Sequence, residues 1–162
     1  MAMASHPGPA LLAYDGSPAT EDAMREAADV LCAPRAVVVV VWKTGLGLET
    51  VVVPEFTGEL PPARLDVRTA AEVDEAISLR ARRLAERGAA IAREAGFEAE
   101  GLAVAESVDV PVAETLLDVA RSRDAQVIVL GSNGHAPVLG RTTRDVIRHA
   151  TCPVVVRHGA TA

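Results

Sequence analysis

Gln126-Val-Ile-Val-Leu-Gly131-Ser-Asn-Gly134 reads as a buried strand that ends on a Gly-x-x-Gly turn. Gly140 follows, then a helical segment, then Cys152-Pro-Val-Val-Val156. A run of apolar, mostly branched residues without polar alternation belongs in a sheet covered on both faces. Strand, glycine turn, helix and strand in this order therefore predict a parallel β-α-β unit. Glycines let the backbone approach a ligand closely, and a helix start carries unpaired N–H groups and about half a unit of positive charge. The turn is a candidate anion site, with phosphate the first ligand to consider.

The same alternation of strand and helix extends toward the N-terminus. Pro9 to Tyr14 is a short apolar run closed by Asp15-Gly16-Ser17-Pro18, which predicts a strand, a turn, Ser17 as N-cap and Pro18 at the first helical position. The helix that follows places Ala23, Ala27, Val30 and Leu31 on one face and stops near Pro34. Ala36 to Trp42 is nearly all valine and predicts a central strand. Thr44 to Thr69, interrupted by Pro54, Pro61 and Pro62, reads as a long loop. Ala70 to Ala95 predicts a long helix whose inner stripe is Val73, Ile77, Ala81, Leu84, Gly88, Ile91 and Ala95, with Gly96 as its C-cap. Arg82, Arg83, Glu86 and Arg87 form its solvated face. Phe97 to Ala105 is a third strand. Asp109, Pro111 and Glu114 open a helix that turns Val112, Leu116, Leu117 and Ala120 inward. Gln126 to Leu130 is the fourth strand, Thr142 or Thr143 opens the last helix, and Pro153 to Arg157 is the fifth strand.

Right-handed crossovers turn this order into an α/β fold with a parallel sheet and helices on both faces. Residues 9–158 read as one domain, between a loose leader at 1–8 and a short tail at 159–162. Apolar residues make up 49% of the 162 and aromatics only 2%, so the core must be built from Val, Leu, Ile and Ala. A net charge of −6 argues against a nucleic-acid or anionic-membrane surface. No apolar run reaches membrane-spanning length, and the start lacks the layout of a signal peptide. Cys32 and Cys152 sit in apolar neighbourhoods and read as buried free thiols of a reducing cytoplasm.

In such a sheet, ligands sit beyond the carboxyl ends of the strands where the winding reverses. If the first strand is central, Asp15 comes to lie beside the Gly131 turn: a carboxylate for a base or ribose, next to glycines for phosphates. Asp15 serving only to shape its own turn, with the glycines closing tight corners, is the competing interpretation of the spacing. His6, His135, His149 and His158 share no ligand spacing with one another or with a cysteine, so no metal site is expected. Ser132 is not in a nucleophile elbow, and no catalytic constellation is visible. Lys43, the lone lysine beside fifteen arginines, is too isolated to stand for a phosphate-loop lysine. Arg141, Arg144 and Arg148 share a helical face, with Arg141 the candidate for phosphate. A receiver domain shares the architecture, but the acidic pair and the late lysine of that fold are missing.

Leu11-Leu-Ala-Tyr-Asp15-Gly-Ser17, Gly131-Ser-Asn-Gly134 and Arg148-His-Ala-Thr-Cys152-Pro-Val-Val-Val156 together resemble the universal stress protein family. The resemblance spans nearly the whole chain. It implies a Rossmann-like fold of the adenine nucleotide alpha hydrolase type, with a five-stranded parallel sheet in the order 3-2-1-4-5. It also implies a homodimer, and the apolar edge of the terminal strand Pro153 to Arg157 is where two copies could pair. Many members bind ATP without a defined catalytic task. Asp15 matches the acid that members place against the nucleotide, and Gly131 and Gly134 match the first half of the phosphate loop. The nucleotide contacts expected on this basis are Ala13, Tyr14, Asp15, Val41, Leu130, Gly131, Asn133, Gly134, Gly140, Arg141 and Thr142.

The second half of the loop departs from the family pattern. Five residues separate Gly134 from Gly140, a shorter spacer than ATP-binding members carry, and Arg141 stands where a hydroxyl is expected. Pro137 stiffens the loop and offers no N–H. Two outcomes stay open. In one, Arg141 with Thr142 or Thr143 holds the phosphates of ATP or AMP, with or without magnesium, and the protein is a cytoplasmic stress-response sensor or regulator. In the other, the loop is too short, and the chain is a nucleotide-free dimeric interaction module.

Overall fold

Five parallel strands form one sheet in the order β3-β2-β1-β4-β5, in a computed structural model that describes residues 8–44, 67–132 and 139–158. The strands are β1 (Ala10–Ala13), β2 (Arg35–Thr44), β3 (Glu98–Ser107), β4 (Val127–Ser132) and β5 (Val154–His158). The helices are α1 (Pro18–Val30), α2 (Val67–Ala95), α3 (Val112–Ser122) and α4 (Arg141–His149). The order is the one the family resemblance implied.

The unalternating valines are explained by the layers. Successive strand residues point to opposite faces, and here both faces are covered. Leu12, Val38, Val40 and Val129 pack with α1 and α2 residues such as Met24 and Ala85. Leu11, Val37, Val39 and Ile128 pack with α3 and α4 residues such as Leu116 and Val146. Burying each large aliphatic side chain contributes about 1.5–3 kcal/mol.

The two sides differ in how closely helix and sheet approach. On α2 the fully buried positions are Ala81, Ala85, Gly88, Ala89 and Ala92, while Val73, Ile77, Leu84 and Ile91 are half-buried. Small residues let this helix lie almost on the strands. A Cβ added at Gly101 of β3 would come within 2.6 Å of the Ala85 carbonyl.

Helix ends follow local chemistry. Ser17 caps α1 with its side-chain oxygen on the Thr20 N–H, and Pro18 opens the helix. Gly96, at φ +115°, ends α2, with the Gly96 N–H on the Arg93 carbonyl and the Phe97 N–H on the Ala92 carbonyl, both at 3.0 Å.

Several expectations need correction. Val30 is 70% exposed, because α1 ends there and the extended Leu31 takes the inward place. The long helix starts at Val67, so the end of the expected loop belongs to α2, and residues 45–66 lie outside the described residues. The last helix starts at Arg141, one or two residues before the expected Thr142 or Thr143, with Gly140 as N-cap. Cys32 is exposed rather than buried, since the chain has already left α1. Cys152 is half-buried, and desolvation pushes its thiol up. The leader at 1–7 and the tail at 159–162 are likewise outside the described residues.

Candidate functional site

β1 is the central strand, paired with β2 through Ala13↔Val39 and with β4 through Leu12↔Val129. The winding reverses between β1 and β4, so the chain leaves their adjacent carboxyl ends toward opposite faces of the sheet and a crevice is left there. A cavity of about 360 Å³ opens there. Its floor is Ala13, Tyr14 and Asp15 from β1 and its exit, Val41 from β2, and Leu130 and Gly131 from β4. Thr20 of α1, Leu84 of α2, Val112 and Leu116 of α3, and Thr142 and Thr143 of α4 complete the wall.

Of the residues expected from the sequence, Ala13, Tyr14, Asp15, Val41, Leu130, Gly131 and Thr142 thus share one cavity. Gly140 and Arg141 do not line it. Among the described residues a Cβ at Gly140 would meet nothing within 4 Å. The Arg141 side chain is 85% exposed and lies 3.8 Å from the Asp145 carboxylate. It faces a neighbouring cavity of about 300 Å³ that shares Val112 and Thr142 with the first. Asn133, Gly134, His135 and Pro137 lie outside the described residues.

The base of the cleft is tightly bonded. Asp15 Oδ1 accepts from the Ser17 N–H and from the Thr20 hydroxyl, each at 2.9 Å. Partial burial works to raise this carboxyl, but the bonds from Ser17 and Thr20 outweigh it and hold it below its ordinary value. The Tyr14 ring is buried in a slot left by Gly88, where a Cβ would come within 2.5 Å of Cδ1. Its hydroxyl donates to Glu21 Oε1 at 3.0 Å, and Arg87 donates to the same oxygen at 3.1 Å. Desolvation, and then the Glu21 carboxylate, push the phenol up.

Gly131 has a structural neighbour that the sequence did not reveal. A Cβ there would lie 2.6 Å from the Ala19 carbonyl oxygen and 2.8 Å from Thr20 Cα. Its missing side chain admits α1 against β4, as well as leaving the cleft floor open. Lys43 also has a structural use. Its ammonium donates to the Ser107 carbonyl at 3.1 Å and to the Val110 carbonyl, pinning the loop between β3 and α3.

Thr20, Leu84, Val112 and Leu116 join the cavity without having been expected as contacts, and Thr143, the alternative to Thr142 for the phosphates, joins it too. Leu84, Val112 and Leu116 carry the periodic signal of core residues, which gives no hint of a cleft. Thr20 sits three residues after the N-cap Ser17, and that spacing was a usable signal. Among the described residues no group of three or more His, Cys, Asp or Glu could hold a metal ion, and no helix is long and apolar enough to cross a membrane. Apolar walls with one acceptor carboxylate and three threonine hydroxyls suit a flat heterocycle joined to a polar group.

A model of the universal stress protein family matches residues 8–158. No match emerged among proteins of curated function. A universal stress protein from Archaeoglobus fulgidus in complex with dAMP is 22% identical at a TM-score of 0.55, over 92% of this chain and 96% of that one. A universal stress protein in complex with cAMP is 13% identical at a TM-score of 0.59, over 95% of this chain and 98% of that one. A family protein from Arabidopsis thaliana with AMP bound is 15% identical at a TM-score of 0.57, over 96% of this chain and 94% of that one. At these identities the likeness carries the fold.

Proposed function

Because the chain belongs to the universal stress protein family, we propose that its cleft binds an adenine nucleotide, AMP or ATP. On this reading the protein is a cytoplasmic stress-response sensor or regulator and not a catalyst. The observation that carries the reading is the meeting of Asp15, the apolar walls and Thr142 in one cavity at the winding reversal. The base would lie against Val41 and Leu130, with Asp15 accepting a hydrogen bond from base or ribose. The phosphate would point toward Gly131 and the threonines that open α4, where unpaired N–H groups favour an anion. Any magnesium would arrive with the polyphosphate. Relatives of the same fold in complex with dAMP, cAMP and AMP support the choice of ligand.

Thermal or chemical unfolding with AMP, ATP and cAMP tests the reading. A ligand at a hundred times its Kd adds about 2.7 kcal/mol to stability. No stabilisation by any of the three, with or without magnesium, overturns it.

A second reading makes the dimer surface the functional part. Among the described residues β5 is the end strand of the sheet, bonded to β4 alone, and its Val154, Val155 and Val156 are half-buried. Such an edge invites pairing, and two copies joined antiparallel across a two-fold axis would close it. Light scattering at micromolar concentration should return a dimer, and a monomer rejects this pairing.

A further inference from the structure

We propose that the cleft continues into a furrow between α3 and α4, and that its ligand is an adenosine diphosphate whose outer phosphate carries a neutral polyhydroxyl group. The proposal rests on the nucleotide reading above and names the remainder of that ligand.

Three cavities follow one another among the described residues. The cleft of about 360 Å³ shares Val112 and Thr142 with the cavity of about 300 Å³ beside Arg141. That cavity shares Pro111, Ala113 and Asp145 with a third, of about 510 Å³, lined by α3 and α4. Helical spacing makes the walls. Arg141, Asp145 and His149 recur every four residues along α4, and Glu114, Leu117 and Arg121 recur at steps of three and four along α3. A mononucleotide would occupy the first cavity, and anything attached beyond its phosphates would enter the other two. Charge decides what can follow. Arg141 stands at the junction, its ion pair with Asp145 as long as 3.8 Å, and can take a second phosphate. The other cations along the path are engaged: the Arg121 guanidinium donates to Asp118 at 2.9 Å, and Lys43 donates to the carbonyls of Ser107 and Val110. Asp145 and Glu114 present carboxylates from the two walls. Carboxylates repel a further phosphate but accept hydrogen bonds from hydroxyls. Leu117 and Pro111 add apolar surface for the carbons of a sugar ring, and the His149 ring, held through Nδ1 at the Asp145 carbonyl at 2.9 Å, adds one more polar group.

Calorimetric titration with AMP, ADP, ATP and ADP-ribose tests this in wild type, Asp145→Asn and Glu114→Gln. Both substitutions conserve shape, and neither residue is buried, so the fold should be kept. Wild type should bind ADP-ribose about tenfold more tightly than ADP, as one hydrogen bond from a sugar hydroxyl to a carboxylate would give. In Asp145→Asn most of that gain should disappear, while ATP should bind no more weakly than to wild type. The same change removes an acceptor for a sugar and a repulsion for a phosphate. Glu114→Gln should also reduce the gain and leave AMP within about twofold of wild type. ADP-ribose no tighter than ADP, or a gain untouched by both substitutions, overturns the proposal and leaves the nucleotide reading standing. Equal losses for ADP-ribose and ATP in Asp145→Asn would make Asp145 a structural residue and overturn it too. Wild type that binds none of AMP, ADP and ATP overturns the proposal and the nucleotide reading together.

Discussion

At the exit of β1, Asp15 and Tyr14 are each held by named partners, whereas at the start of α4 Gly140 and Arg141 have few contacts among the described residues. Asp15 Oδ1 takes two hydrogen bonds, and the Tyr14 ring fills a slot that only a glycine at 88 leaves open. Among the described residues none lies within 4 Å of a Cβ added at Gly140, and the Arg141 side chain is largely exposed. One end of the cleft is therefore pre-organised by folding, and the other would acquire its contacts from a ligand. Pre-organised groups lose little freedom on binding, so most discrimination should reside at the Asp15 end.

The sharpest way to break this contrast is at Gly131, which sits between the two ends. Gly131→Ala places a Cβ against backbone that cannot rotate away, and overpacking of this kind costs about 1–3 kcal/mol. Gly101→Ala makes an equally close contact, 2.6 Å from the Ala85 carbonyl, far from the cleft. Denaturant unfolding should show similar losses in both variants. Titration should show weaker AMP binding only in Gly131→Ala. Equal loss of binding in both would mean that Gly131 contributes through stability alone.

A smaller effect is expected at Tyr14. Tyr14→Phe keeps the ring in its slot and removes the donor to Glu21, which retains Arg87 at 3.1 Å. The loss should be about 1 kcal/mol, read from the urea midpoint at constant slope. A change above about 3 kcal/mol would show that the phenol organises more of the pre-built end than one bond.

The pre-built end is also the part the sequence announced best. Ser17-Pro18 specifies a helix start by capping chemistry confined to adjacent residues, and the valine run of β2 specifies burial on both faces. Both signals are local, so order and topology were legible. Asp15 and Gly131 were legible as neighbours because the winding reversal brings their strand ends together. What stayed hidden depends on contacts between distant segments. Gly131 looks like a phosphate corner until α1 is seen pressing on it. Lys43 looks stranded until the carbonyls of Ser107 and Val110, more than sixty positions away, are seen around it. Val30 continues the inner stripe of α1 by spacing, yet the helix ends before the core can cover it.

The loose end can be tightened without touching the cleft. Gly140 caps α4 with no side-chain hydrogen bond. Gly140→Ser supplies an oxygen for the exposed N–H groups, and among the described residues nothing within 4 Å opposes its Cβ. A gain of about 0.3 kcal/mol is expected, measurable as a higher denaturant midpoint. A loss would indicate that glycine is needed there by a bound ligand or a partner and not by the free protein.

Arg141→Ala should have the smallest effect of all. The ion pair with Asp145 is 3.8 Å long and highly exposed, and pairs of this kind contribute under about 0.5 kcal/mol. Its value lies in the ligand series. A guanidinium that lines the neighbouring cavity, and not the cleft, should leave AMP affinity within about twofold of wild type. A triphosphate is long enough to leave the cleft past Thr142, which with Val112 lines both cavities, and there it would meet Arg141. ATP should then lose affinity in Arg141→Ala where AMP does not. A tenfold loss for AMP would instead bring the arginine over the cleft on binding, and the unformed end would be as selective as the formed one.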